Sequence, residues 1–241
     1  MKITHLGQAG LLIKTKDLTI MIDPYFTDSV GETDPKKHRR VEMDPRFWQL
    51  RPDVLLFTHS HLDHYDPATA GRILKENRGI TVLAPTSVWG QVRGFGGDHN
   101  YVLFDRHTQW TEGSVRFTAV KAAHSDNFAI GVLVNTQGKT LYVTGDTLYN
   151  TEVLEDVAQY LAPPAPAGHP PHKCGGQVDV VFLPVNGMGN NMNATDAARF
   201  VRDCGAKLAV PVHVGLFDDL TGDILQIDNK VVLAAFETME V

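Results

Sequence analysis

The chain is poor in cysteine and has no long apolar run. Its 241 residues include two cysteines, Cys174 and Cys204, which are too few for a disulfide framework and are typical of reduced thiols in a cytoplasmic protein. No apolar run approaches the roughly 20 residues that a membrane-spanning helix needs, and the first residues lack the apolar segment of a signal peptide. The sequence therefore predicts a cytoplasmic protein without a membrane partner.

An excess of positive charge and a break in composition are also absent. Acidic residues outnumber basic ones by 28 to 22, which gives a net charge of −6, whereas a surface that binds nucleic acid is usually basic. Nucleic acid is therefore not an expected partner. The composition, 43% hydrophobic and 21% charged, is typical of a soluble globular protein. One domain over residues 1–241 is expected, and association between copies of the chain is left open.

The most informative stretch lies between an apolar run and a helix start. Residues 53–57 have the pattern of a buried strand, and Asp66-Pro67 is typical of the first residues of a helix. The turn between them carries four side chains of metal-ligand type, namely His59, His61, Asp63 and His64. Alternate residues of an extended segment point the same way, so His59 and His61 can hold one ion. Asp63 and His64 follow the turn and are placed for a second ion.

Three more apolar segments are predicted to be strands that end just before a residue of metal-ligand type. These residues are His124, Asp146 and His213. Ligand sites in sheet-based folds gather at such strand ends, so the repeated placement indicates one shared site. Imidazole and carboxylate ligands suit borderline and hard cations, and a set without sulfur admits zinc, manganese or iron.

Four other residues are candidates for supporting roles around this site. Asp23, just before Pro24, either orients a metal-binding imidazole or forms an ordinary Asp-Pro turn. Asn186 either donates a hydrogen bond to a developing oxyanion or stabilises its own turn. His5 and Gln8 either line the mouth of the site or support it from behind.

Three segments outside the site have less specific patterns. The polar insertion at residues 27–50 contains the basic cluster 36–40, for which a solvated loop is favoured over steering of an anionic substrate. Residues 162–177, rich in proline and glycine, predict an irregular surface loop. This loop is not predicted to bind metal, although it contains His169, His172 and Cys174. Residues 230–236 are predicted to form the last strand.

On these motifs the chain resembles the metallo-β-lactamase superfamily. The resemblance extends from Leu6-Gly7-Gln8-Ala9-Gly10 and Ile22-Asp23-Pro24 through His59-x-His61-x-Asp63-His64 and His124 to Gly145-Asp146 and His213. Within that superfamily, residues 6–10, 183–187 and 210–215 resemble the branch that contains L-ascorbate-6-phosphate lactonase. The resemblance implies an α+β fold, a four-layer αββα sandwich with the ions at one edge of its two sheets.

The resemblance also implies how two divalent ions would be shared among the ligands. One ion would be held by His59, His61 and His124. The other would be held by Asp63, His64 and His213, and Asp146 would bridge the two. The branch often carries an aromatic residue at the position of Val214, and this chain departs from it there.

The predicted function is a metal-dependent hydrolase with a small-molecule substrate. A water shared by two ions would have its pKa lowered from about 15.7 towards about 7, and the bridging hydroxide would attack an ester or lactone. The lactonase branch implies a phosphorylated sugar lactone. Asp63 and Asp146 are the candidate catalytic residues, and Asp63 would orient the water or carry a proton. A phosphodiesterase, an iron-dependent redox enzyme and a non-catalytic scaffold are left open.

Overall fold

Residues 1–161 and 177–241 are described by the computed structural model, and their strands form two sheets. The strands are β1 (Lys2–Gly7), β2 (Gly10–Lys14), β3 (Thr19–Ile22), β4 (Val54–Leu56), β5 (Thr81–Ala84), β6 (Asn100–Leu103), β7 (Gln109–Glu112), β8 (Val115–Lys121), β9 (Ile130–Thr136), β10 (Lys139–Val143), β11 (Val180–Pro184), β12 (Leu208–Val212) and β13 (Thr238–Glu240). The order in one sheet is β13-β1-β2-β3-β4-β5-β6, and in the other it is β12-β11-β10-β9-β8-β7.

Helices and 3-10 turns connect these strands. The α-helices are α1 (Ser29–Thr33), α2 (Pro67–Glu76), α3 (Thr86–Val92), α4 (Thr151–Leu161) and α5 (Ala194–Asp203). The 3-10 turns are Pro35–Lys37, Pro45–Gln49, Arg93–Phe95 and Gly222–Ile224. No helix in the described ranges has the length and apolar character needed to cross a membrane.

Alternating side chains along the strands give each sheet two apolar faces. In β3, Ile20 and Ile22 join the core between the sheets, whereas Met21 joins the core under α2 and α3. In β9, Val132 faces the core between the sheets and Leu133 faces the core under α4 and α5. Helices therefore cover the outer face of each sheet, and the predicted four-layer αββα sandwich is confirmed.

Strand direction places several chain turns at one edge of the sandwich. In one sheet β3, β4 and β5 run parallel, and in the other β10, β11 and β12 run parallel. The carboxyl ends of parallel strands lie at the same edge of a sheet. The residues that follow β4, β10 and β12 therefore meet at this edge.

The predicted last strand at residues 230–236 is wrong. Of this segment only Lys230 forms a β-bridge, an isolated one to Ala209, and the last strand is β13, which pairs with β1. Strand β7 was not predicted because it is a half-exposed edge strand of mixed polarity. The loop predicted at 162–177, including His169, His172 and Cys174, lies outside the described residues except for Gln177.

Candidate metal centre

All seven predicted metal ligands lie at the edge where the carboxyl ends of the strands meet. The turn between β4 and α2 carries His59, His61, Asp63 and His64, whereas His124 follows β8, Asp146 follows β10 and His213 follows β12. The Asp66 side chain caps α2 by accepting from the backbone N–H groups of Ala68 and Thr69. Backbone N–H groups of His64 and Tyr65 both donate to the His61 carbonyl, at 3.0 and 2.8 Å. These bonds fix the turn that presents the ligands.

One group of potential ligands combines three imidazoles with a carboxylate. Its members are His59, His61, His124 and Asp146, and their ligand atoms all lie within 4.8 Å of one another. The ring centroids of His59 and His61 lie 4.8 Å apart, and His124 lies 4.6 Å from each. Three imidazoles and one carboxylate are a suitable donor set for a borderline divalent cation.

A second group combines a carboxylate with two imidazoles. Asp63, His64 and His213 also have ligand atoms within 4.8 Å of one another. Asp146 lies between the two groups, because its Oδ1 is 3.2 Å from His64 Nε2 and its Oδ2 is 3.2 Å from His213 Nε2. Asp146 thus faces both groups, and the sharing of two ions among these residues stays a prediction.

The buried carboxylate of Asp23 orients two imidazoles, that of His64 directly and that of His59 through Thr58. Its Oδ2 accepts from His64 Nδ1 at 2.8 Å and from the Thr58 hydroxyl at 2.5 Å. Because that hydroxyl donates to Asp23, it accepts from His59 Nδ1, which lies 3.0 Å away. Both imidazoles thus carry their proton on Nδ1 and present an unprotonated Nε2 to the site when neutral. Asp23 makes the contacts expected of an orienting carboxylate.

Three potential ligand atoms make none of these contacts, and their arrangement fits bound cations. His59 Nε2, His64 Nε2 and Asp146 Oδ1 are buried and have no hydrogen-bond partner among the residues that the structure describes. With His64 neutral, its Nε2 and Asp146 Oδ1 would be two acceptors facing each other at 3.2 Å. A buried acceptor pair of this kind is unfavourable unless a proton or a cation lies beside it.

Burial and neighbouring carboxylates shift the pKa values of four histidines of the site. Burial lowers the pKa of His59 well below its ordinary value, and burial also lowers that of His124. Burial acts in the same direction on His64 and His213, but it is outweighed by Asp146 together with Asp23 beside His64 and Asp63 beside His213. The pKa of His64 is raised well above its ordinary value, and that of His213 is raised to about 10. The raised pKa values mean that, without metal, His64 and His213 favour the protonated form, whose charge offsets that of the neighbouring carboxylates.

Three residues at this site have an unusual backbone conformation. Gln8, Asp23 and His213 have φ angles of 52°, 46° and 64°, in the left-handed region that residues other than glycine rarely adopt. The backbone N–H of His213 donates to the Gln8 carbonyl at 2.7 Å. Gln8 Nε2 lies 2.8 Å from Asp63 Oδ2 and 3.1 Å from the His213 ring nitrogens. Gln8 lines the site, in agreement with the first of its two predicted roles.

His5 and Asn186 occupy different positions relative to the site. His5 is buried behind Gln8, with Nε2 at 3.1 Å from the Gln8 carbonyl and Nδ1 at 3.2 Å from the Leu233 carbonyl. It lines a separate cavity of about 320 Å³, so of its two predicted alternatives His5 occupies the supporting position behind the site. Asn186 Nδ2 lies 2.9 Å from His213 Nδ1, and its Oδ1 accepts from the backbone of Met188 at 3.3 Å. It therefore stabilises its turn and contacts a ligand.

The polar insertion forms one wall of the pocket above the ligands. This pocket has a volume of about 470 Å³, and Lys36 and Lys37 line it together with Phe217 and Asp218. Both lysines are exposed, in agreement with the favoured prediction of a solvated loop, and the alternative of steering an anionic substrate stays a prediction. The insertion is attached to the opposite loop, because the backbone N–H of Arg40 donates to the Leu216 carbonyl and its side chain pairs with Asp219.

The aromatic residues of the insertion pack onto the body of the protein. Trp48 makes an edge contact with Phe26 at 5.0 Å between centroids, and Phe47 stacks on Phe236 at 5.1 Å. These contacts hold the insertion in place beside the pocket.

Three contributors to the site were not predicted. Thr58 connects Asp23 to His59, and Asn191 donates to Asp146 Oδ2 at 3.0 Å. Asp126 Oδ2 accepts from the backbone and hydroxyl of Ser60 at 3.0 and 2.8 Å, which ties the loop after β8 to the ligand turn. The position of Thr58 directly before His59 is a usable signal, whereas Asn191 is brought to Asp146 only by the fold.

Comparisons with known proteins point to the same fold. Residues 2–213 match the family model described as the beta-lactamase superfamily domain. A UPF0173 metal-dependent hydrolase from Geobacillus thermodenitrificans is 29% identical over 239 residues, covering 92% of this chain and 89% of that protein.

Two solved structures share the architecture at low sequence identity. The isothiocyanate hydrolase from Delia radicum gut bacteria has a TM-score of 0.74 and 19% identity, covering 100% of this chain and 99% of that one. A diiron β-hydroxylase from Streptomyces venezuelae has a TM-score of 0.66 and 18% identity, covering 89% of this chain and 45% of that one. These two similarities establish a common fold.

Proposed function

The chain belongs to the beta-lactamase superfamily and is a metal-dependent hydrolase, and we propose that it binds two divalent ions. We further propose that it hydrolyses a small ester or lactone. The observation that carries the proposal is a pair of ligand groups, of which the first contains Asp146 and the second faces it, with buried ligand atoms that have no hydrogen-bond partner in the described residues. Zinc and manganese are the proposed ions, because the donor set consists of imidazole nitrogens and carboxylate oxygens.

The ions and the carboxylates would have separate tasks. Two bound divalent ions would lower the pKa of a shared water and polarise the carbonyl oxygen of the substrate. Burial would raise the pKa of Asp63, but His213 and His64 beside it lower it below its usual range. Asp63 is therefore ionised at neutral pH, and we assign it the role of orienting the water or carrying a proton. Gln8 holds Asp63 for this task through the 2.8 Å hydrogen bond to Oδ2.

The pocket wall supports a substrate that carries negative charge. Lys36 has no acidic partner within 4 Å in the described part of the chain, and Lys37 reaches only Asp34, at 4.0 Å. Two lysines on the wall of the pocket that also contains His61, Asp63 and His213 favour an anionic substrate in a protein whose net charge is −6. Together with the sequence resemblance to the lactonase branch, this favours a phosphorylated sugar lactone as the substrate.

Elemental analysis and a substrate panel test the proposal. Protein purified without added metal is analysed for zinc, manganese and iron, then assayed with lactones, thioesters and phosphodiesters. We expect two equivalents of zinc or manganese and turnover of a lactone. His61→Ala and Asp146→Asn should lose turnover and metal, whereas His107→Ala, at a histidine outside the site, should lose neither. Full activity of the first two variants would contradict the assignment.

An iron-dependent redox function is the second candidate. It is favoured by the similarity in fold to a diiron β-hydroxylase and by a ligand set that also suits iron. Tightly bound iron together with consumption of oxygen would support this function and count against hydrolysis. Turnover of a phosphodiester instead of a lactone would keep the metal site and change the substrate class.

A further inference from the structure

Asn191 lies in a short loop that is fastened to the bridging carboxylate. The loop after β11, residues 186–192, closes on itself through a hydrogen bond from Gly187 N to Met192 O at 3.0 Å. The N–H of Met192 donates to the carbonyl of Thr147, the residue after Asp146, at 3.0 Å. The loop is therefore hydrogen-bonded to the backbone that carries Asp146.

The Asn191 side chain acts on one oxygen of that carboxylate. Asn191 is 6% exposed, and its Nδ2 donates to Asp146 Oδ2 at 3.0 Å. That oxygen also faces His213 Nε2 at 3.2 Å, whereas Oδ1 faces His64 Nε2 at 3.2 Å. Rotation about the last torsion of an aspartate is only weakly restricted by the side chain itself. Asn191 is therefore placed to hold the carboxylate plane from the side of His213.

We propose that Asn191 is a positioning residue that sets the affinity of the second metal group, formed by Asp63, His64 and His213. The inference rests on the proposed function, since it requires that the two groups bind ions. Asn191 is neutral, so it orients Asp146 without adding charge. The Oδ1 atom of Asn191 is buried and has no hydrogen-bond partner within the described ranges. The amide therefore keeps its contact with Asp146 although a buried unpaired acceptor is unfavourable.

Manganese titration of metal-free protein in two backgrounds tests the inference. His124→Ala disables the first group and leaves the second, whereas His213→Ala does the reverse. Asn191→Ala should weaken Mn²⁺ binding about tenfold in the His124→Ala background, as loss of a residue that orients a metal ligand typically does. In the His213→Ala background the weakening should be clearly smaller, because Asp146 also belongs to the first group but both of its oxygens face the imidazoles of the second. Asn190→Ala, at the neighbouring asparagine of the same pocket, is the matched control and should change neither constant.

The outcomes separate positioning from a general structural role. Circular dichroism establishes that each variant is folded, and Asn191→Ser replaces Asn191→Ala if the latter does not fold. Unchanged binding in the His124→Ala background, or equal weakening in both backgrounds, would overturn the inference alone. If wild-type protein bound no Mn²⁺, zinc or iron, the proposed function would fall together with it.

Discussion

Replacing Thr58 by valine isolates the connection between Asp23 and His59. Valine keeps the shape of the fully buried threonine and removes only the hydroxyl, which donates to Asp23 and accepts from His59. A hydrogen bond to a charged group contributes about 1.5–3 kcal/mol, and a buried donor left unpaired costs about 1–3 kcal/mol. We expect the free energy of unfolding to fall by about 2–4 kcal/mol and metal affinity to fall by about 10- to 100-fold.

Urea unfolding and Zn²⁺ titration measure the two effects. Thr58→Ser is the matched control, because it keeps the hydroxyl and should retain most of the metal affinity. With Thr58→Val, the His59 imidazole is free to place its proton on either nitrogen, so the ion held by His59, His61 and His124 should be weakened first. If Thr58→Val bound both ions with wild-type affinity, the argument that the hydroxyl fixes the His59 tautomer would be refuted.

Three further predictions address stability, backbone and specificity. Burial would raise the pKa of Asp156, but the Arg106 side chain and a backbone N–H outweigh it and lower this pKa. Asp156→Asn should therefore lower the free energy of unfolding by about 2 kcal/mol at pH 7. Urea unfolding should show this difference disappearing as the pH falls below the ordinary carboxyl pKa. Gly145→Ala would place a Cβ 2.8 Å from a carbonyl of β9 at φ +60°, so metal content by elemental analysis should fall. Replacing Lys36 and Lys37 by glutamine should raise KM about fivefold for a phosphorylated lactone and leave KM for its neutral analogue unchanged.

The sequence allowed the ligands to be located because strand ends are a strong signal. A buried apolar run followed at once by histidine or aspartate identifies where a strand leaves the sheet, and in the fold the residues His124, Asp146 and His213 do meet there. Their role as metal ligands stays a prediction until ions are measured. The four-layer sandwich could be expected from the resemblance, and the alternation within β3 and β9 explains why both faces of each sheet are covered.

Contacts between residues distant in sequence could not be predicted in the same way. Lys36 and Lys37 belong to a basic run that is usually solvated, and contacts distant in sequence, such as that of Arg40 with Leu216, hold this run beside the pocket. Asn191 is 45 residues from Asp146, and no local pattern relates the two. The error at residues 230–236 arose from reading an apolar composition as a strand, although edge pairing with β1 falls to β13 instead.

Without metal, the stability of the folded protein should depend on the protonation of a ligand histidine. The pKa of His213 is raised to about 10 in the folded chain, mainly by Asp146 acting against burial, compared with about 6.5 when unfolded. Its protonated form therefore contributes stability that is fully present below pH 6.5 and is lost as the pH rises towards 10. Metal-free protein should become less stable over this range.

Bound metal replaces the proton, so its stabilising effect should increase with pH. Ions at 1,000 times their dissociation constant raise the free energy of unfolding by about 4.1 kcal/mol. Differential scanning fluorimetry with EDTA or with saturating Zn²⁺ at pH 6 and pH 9 measures the difference. We expect a larger increase in Tm at pH 9, and in His213→Ala the dependence of this increase on pH should be reduced. An increase that was equal at both values of pH would show that the proton and the cation do not compete for the same carboxylates.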